Sequence, residues 1–221
     1  MFGYDGIVQF ALAAVAILIS IILHELAHGY VALWNGDATA KFYGRLSLDP
    51  RKHFDPIGLV MLLLVRFGYA KPVPINPDNF RHRKLGLITV SAAGIVLNLL
   101  LAFLCTPLYL LCYYSRAVVA VYFGYFFEWM IIINVNLALF NLLPIYPLDG
   151  FNLLASFTRA INPVTRFLRV YGQYILILLI GLGIIVDFTG LPAWVDPLGY
   201  YIGTVGNWII SGFIKFWSLI F

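Results

Sequence analysis

The chain has 221 residues, of which 62% are hydrophobic and only 11% charged, with 18 Phe and 14 Tyr. A soluble domain of this size cannot hide so much apolar surface, so the composition excludes a soluble enzyme and predicts an all-α polytopic membrane protein. The net charge of +4 comes from Lys and Arg in short stretches between apolar runs, the pattern of membrane-flanking loops and not of a nucleic-acid surface.

The first apolar run predicts a helix from Ile7 to Trp34 that ends at Asn35-Gly36. The N-terminus lacks the basic region and small-residue cleavage site of a signal peptide, so this run is expected to stay as a span. Between Ile7 and Trp34 the only ionisable groups are His24, Glu25 and His28. Ionisable side chains inside a span are costly and mark function. Histidines four apart on a helix face the same way, about 6 Å apart along the axis. Both imidazoles can therefore reach one ion, with Glu25 to the side. Zinc accepts two imidazoles and a carboxylate and leaves a position for water, whose proton a neighbouring carboxylate can take. That is the chemistry of a metalloprotease. Packed core histidines beside a chance glutamate are the weaker reading, because nothing nearby neutralises three polar groups in so apolar a run.

From Asp37 to Asp55 the chain is polar enough for the membrane interface. Lys41 to Leu48 alternates imperfectly and predicts a short strand or hairpin. Its residues Phe42, Leu46 and Leu48 are candidates to present an edge to an extended peptide substrate. Ile57 to Val65 is apolar but too short to span as a helix. Lys71-Pro-Val-Pro-Ile-Asn-Pro77 cannot be regular helix, so Asp55 to Asn79 is expected to be re-entrant or interfacial.

Leu85 to Leu111 predicts the second full span, with the small-residue face Ser91-Ala92-Ala93-Gly94. Asn98 either makes an interhelical hydrogen bond or faces the site and its substrate. Cys105 and Cys112 are about 10 Å apart along a helix, too far for a mutual disulfide, and are expected to pack as small residues. The third span runs from Ala117 to Leu143 and carries Glu128, Asn134, Asn136 and Asn141. It breaks at Pro144-Ile-Tyr-Pro147, followed by Leu148-Asp149-Gly150 and a short helix to Ile161. Val170–Val186 and Tyr200–Phe221 predict two more spans.

If Ile57–Val65 does not cross, 13 of the 14 Lys and Arg fall on one side and only Arg116 lies opposite. If it crosses, making six spans, the bias largely disappears. Charge therefore favours about five transmembrane helices plus the re-entrant segment and its short β structure, in the plasma membrane. The N-terminus would lie outside, with the C-terminus and the histidine pair toward the cytoplasm.

A catalytic zinc needs a third protein ligand. Glu128 lies near the outer end of its span, whereas the histidines lie near the inner end of theirs. Asp149 follows a proline-broken backbone, which is tolerated at membrane depth only when buried or lining a watery cavity. It can bring a carboxylate back to the pair, although an ordinary surface-loop aspartate is the competing reading.

With these pieces assembled, the chain resembles the site-2 protease family of intramembrane zinc metalloproteases. The matching motifs are His-Glu-Leu-Ala-His at 24–28, Ala93-Gly94-Ile-Val-Leu-Asn98, and Asn141-Leu-Leu-Pro-Ile-Tyr-Pro-Leu-Asp149-Gly150. Gly68-Tyr-Ala-Lys-Pro-Val-Pro-Ile-Asn76 is similar to the compact branch lacking PDZ and CBS domains. The middle motif departs from pattern at Ile95, where the family commonly has proline. The resemblance implies that His24, His28 and Asp149 ligate zinc and that Glu25 is the general base and acid. It also implies that Asn141 assists substrate or oxyanion, and that the substrates are membrane-embedded peptide segments. It implies a single metalloprotease domain over 1–221, with the core at 7–161 and accessory helices at 170–221. The competing classes are a zinc-binding scaffold or transporter that cleaves nothing, which has no need of Glu25, and a prenyl-peptide endoprotease. The latter needs a downstream glutamate that only Glu128 could supply.

Overall fold

The computed structural model describes residues 4–53, 71–115, 117–158 and 162–220. Its elements are α1 (Tyr4–Trp34), the single turn α2 (Thr39–Phe42), α3 (Arg83–Tyr114), α4 (Val118–Leu142), α5 (Asp149–Phe157), α6 (Pro163–Thr189) and α7 (Pro197–Trp217). Short 3-10 turns lie at Pro50–Lys52, Pro77–Asn79 and Ala193–Val195. Four helices, α1, α3, α4 and α6, are long and apolar enough to cross a membrane, and this is an integral membrane protein. The expected fifth span does not reach that standard, because α7 interrupts its apolar residues with four glycines, Asn207 and Lys215. Of the segment expected to be re-entrant, the part up to residue 70, including Ile57–Val65 and Gly68–Ala70, lies outside the described residues.

The expected strand at Lys41–Leu48 is corrected. There is no strand among the described residues; Thr39–Phe42 is helical and the chain then turns, with Gly44 at φ +63°. Local hydrogen bonding overrides weak alternation here. Asp37 Oδ1 accepts from the Thr39 N–H (3.0 Å) and from its hydroxyl, which starts a helical turn. The extended backbone near the site lies instead in Lys71–Asn76.

The core lies between α1, α3 and α4, where Ala16, Ala102, Cys105, Met130, Ile131, Val135 and Leu139 are buried together. The alanines let the helix backbones approach closely. Cys105 is buried, Cys112 half-buried, and both are free. His28 Nδ1 pairs with Val90 O at 2.7 Å and Asn35 with Thr89 at 3.0 Å, so α1 and α3 run antiparallel.

α7 completes the bundle. Gly206 lies against Val135, Asn136 and Leu139, and the Phe213 ring is 5.3 Å from Phe103. Pro107 sits inside α3 and has no N–H, which strips Phe103 O of its intrahelical donor. The Trp217 indole N–H supplies the replacement at 3.0 Å. These contacts make α7 antiparallel to α4, with its C-terminal end pointing toward the end of the bundle where α1 begins. α6, which is also apolar enough to cross, packs on α5, α7 and the Ala193–Val195 turn, beside the central helices.

Candidate metal centre

His24 and His28 lie on the buried face of α1, each under a tenth exposed. Two things hold them there. Gly94 of α3 removes the side chain that would occupy their space: a Cβ at Gly94 would stand 2.6 Å from His24 Nδ1 and from His28 Nε2. The Val90 carbonyl then takes His28 Nδ1. This bond fixes the ring and leaves Nε2 free.

Asp149 is delivered by a helix break. α4 ends at Leu142, and turns through Ile145 and Leu148 reverse the chain, with a cis Tyr146–Pro147 peptide. Gly150 presses on the carbonyl oxygens of Leu142 and Leu143, the second only 2.5 Å from where a Cβ would lie, so no larger residue fits. Phe151, 1% exposed, anchors the first turn of α5 edge-on to Tyr146 and beneath the Arg169 guanidinium.

His24 Nε2 and His28 Nε2 are 3.0 Å apart, and Asp149 Oδ2 lies 3.3 and 3.1 Å from them. Zinc–ligand bonds near 2.05 Å give a tetrahedron with edges of ~3.3 Å. Asp149 Oδ2 is buried yet makes a hydrogen bond to neither ring. The three donor atoms therefore lie within 3.3 Å of one another, the spacing of ligands around one ion. The donor set, its spacing and the orphaned carboxylate oxygen all fit a divalent zinc ion held by these three residues.

Glu25 stands outside that cluster, as its place about 100° round the helix requires. Its Oε2 accepts the Val73 N–H at 2.9 Å. Both line a cavity of about 370 Å³ together with the two histidines, Asp149 and Asn141. The Asn141 amide donates to Leu137 O at 3.0 Å. One wall of the cavity is formed by Pro72, Val73, Ile75 and Pro77, with Phe80 beyond them. Asp37 pins this segment: its carboxylate, fully buried, accepts from the Asn76 N–H at 2.7 Å and the Asn79 amide at 2.8 Å.

The other expected site residues lie elsewhere. Asn98 is 0% exposed and does not line the cavity. Phe42 and Leu48 are 87% and 68% exposed, and Leu46 packs on Gly29. None of the three lines the cavity, whose wall includes Pro72, Val73 and Ile75. Glu128 is not in the cluster. Sequence reading missed Ser91, buried three residues before Gly94, and Asn152, three after Asp149; both line the cavity. Their helical spacing from those two residues was the available signal.

Residues 109–183 match the model of peptidase family M50, a stretch that contains Asn141–Gly150. The chain is 43% identical over 144 residues to "Putative zinc metalloprotease YwhC" of Bacillus subtilis, a match covering 63% of this chain and 66% of that protein. It is 28% identical over 230 residues to "Putative zinc metalloprotease Rip2" of Mycobacterium tuberculosis, covering 99% of this chain and 85% of the relative. No solved structure matches it significantly.

Proposed function

We propose, on the premise that this chain belongs to peptidase family M50, the site-2 protease family, that it is an intramembrane zinc metalloprotease. Its substrates on this reading are peptide bonds within or near transmembrane segments of other membrane proteins. The observation that carries the reading is the convergence of His24, His28 and Asp149 beside a separate carboxylate, Glu25, in one cavity.

When bound, zinc would polarise the scissile carbonyl and make a water molecule acidic near neutral pH. The residues of the chain do the rest. Glu25 takes the proton of the attacking water as the new C–O bond forms, then returns it to the amide nitrogen as the C–N bond breaks. The Val73 N–H holds the Glu25 carboxylate at the cavity edge. Asn141 lies on the cavity wall with its amide beside the site and is proposed to steady the substrate carbonyl.

A helical peptide bond is shielded by its own turn, so a substrate must enter extended. The Pro72–Ile75 wall, extended and next to Glu25, is the surface along which it would lie. The metal end of the bundle is proposed to face the cytoplasm, because segments 35–84 and 143–170 hold 12 of the 14 Lys and Arg.

The test is zinc content and cleavage of single-span peptides in detergent. Glu25→Gln keeps shape but cannot take the proton, so zinc should stay while cleavage falls by about 100-fold or more. Asp149→Asn should lose much of both, since two histidines leave the ion under-coordinated. If wild type binds zinc but cleaves no membrane peptide, a zinc-binding scaffold takes the place of the protease.

A further inference from the structure

His28 has both ring nitrogens accounted for, one on Val90 O and one facing the metal position. His24 does not. Its Nε2 faces the same position, but its Nδ1 is buried without a partner. A metal-bound imidazole normally donates through its second nitrogen, which fixes the tautomer and the ring plane.

One helical turn from the histidines lies a second polar feature. Ser20 of α1, Asn98 of α3 and Asn134 of α4 are each 0% exposed. The Asn134 amide donates to Ser20 Oγ and Met130 O, both at 2.8 Å, and the Ser20 hydroxyl donates to Ala16 O at 2.7 Å. Asn134 Oδ1 and both polar atoms of Asn98 have no partner. Because α1 and α3 are antiparallel and Gly94 abuts His24, Asn98 stands level with Ser20. Helical side chains lean toward their own N-terminal turn. Asn98 therefore leans toward the level of Gly94 and His24 toward that of Ser20, which directs the carboxamide and Nδ1, neither of them hydrogen-bonded in the structure, toward the same level of the α1–α3 pair.

We propose that Asn98 is a positioning residue for His24, the acceptor of its Nδ1 proton through one buried water. Ser20 and Asn134 complete this polar floor beneath the metal centre. A water there would have His24 Nδ1, the Asn98 amide and Asn134 Oδ1 as partners, as many as a buried water needs. The arrangement leaves the Nε2 lone pair facing the ion and explains why a fully buried asparagine is kept in an apolar bundle, where an unpartnered amide is costly. The inference rests on the zinc reading above.

The experiment is zinc affinity by chelator competition on the full chain in detergent, beside thermal unfolding of the zinc-free protein. Asn98→Ala should weaken zinc binding roughly 10- to 100-fold. The zinc-free form should keep its helices and most of its thermal stability, so that the loss in zinc affinity exceeds any loss in stability. Asn98→Asp keeps an acceptor and should restore most of the affinity. If Asn98→Ala does not fold, Asn98→Val fills the space without an acceptor and is read the same way. Wild-type zinc affinity in Ala or Val overturns the proposal, as does a loss that Asp shares and that follows zinc-free stability. If wild type itself binds no zinc, the zinc reading falls and this inference with it. If wild type and Asn98→Ala bind equally, only this inference falls.

Discussion

At the scale of single residues, the metal cluster depends on an absence: the side chain that Gly94 lacks. Gly94→Ala would drive a methyl group into both imidazoles, so one ring must rotate away from the shared point. Zinc retained after dialysis should fall well below one ion per chain while the helices stay formed. Wild-type zinc content in this variant would mean that the rings have room the geometry denies. A second dependence is the indole of Trp217 on Phe103 O, the carbonyl that Pro107 leaves open. Trp217→Phe keeps an aromatic ring against Phe103 and removes only the donor. Its expected cost is ~1–3 kcal/mol, the range for stranding a buried acceptor. Equilibrium unfolding in detergent measures it, and an unchanged midpoint would show that another donor replaces the indole.

Among the elements, the Lys71–Phe80 segment does most to shape the cavity although it contains little regular structure. Pro72 and Pro74 keep residues 71–76 out of regular structure, and the segment is tied down by Glu25, Asp37 and the Asn35 carbonyl, which accepts the Arg81 N–H at 2.9 Å. Burial alone would raise the pKa of Asp37. The Thr39 hydroxyl, the Asn79 amide and the backbone N–H groups of Asn76 and Thr39 outweigh it and hold the carboxyl below its ordinary value. A carboxylate whose folded pKa is depressed adds stability that is complete above the unfolded value, about 3.9, and is lost as pH falls through the folded one. The protein should therefore lose stability between about pH 4 and lower values. Asp37→Asn should be less stable at pH 7 and show a flatter acid limb. Thermal unfolding from pH 7 to 3 compares the two, and parallel curves would assign acid sensitivity to another group.

For the whole molecule, helix direction is the property most open to direct test. The His53 carbonyl accepts the Lys71 N–H at 2.8 Å, and Arg81 is joined to Asn35, so Lys52 and Arg83 lie at the same end of the bundle. Single cysteines at these positions, in a chain without Cys105 and Cys112, should react with an impermeant reagent from one face of the membrane. A cysteine at Ser218 should react from the other face, because α7 runs antiparallel to α4. Labelling of Ser218 from the Lys52 face would restore the five-crossing arrangement expected from charge.

What could be read without coordinates was whatever depends on near neighbours in the chain. The i, i+4 histidines, the apolar runs of α1, α3 and α4, the Asn35-Gly36 stop (Gly36 has φ +109°) and the proline break before Asp149 are all local. Helical period, side-chain hydropathy and backbone sterics act over a few residues, so spacing alone reports them. Other features depend on which surfaces meet, and these only the packed chain decided. Asp149 and not Glu128 joins the histidines because a turn folds α5 back on α3, beyond the reach of any spacing rule. Pro72–Ile75, not Phe42–Leu48, became the cavity wall because Asp37 holds residues some forty positions away in the chain. α7, which unlike α6 falls short of a membrane-spanning helix, entered the bundle ahead of it. Its Gly206 fits the surface of α4, and helix contacts in a membrane reward close approach more than apolarity.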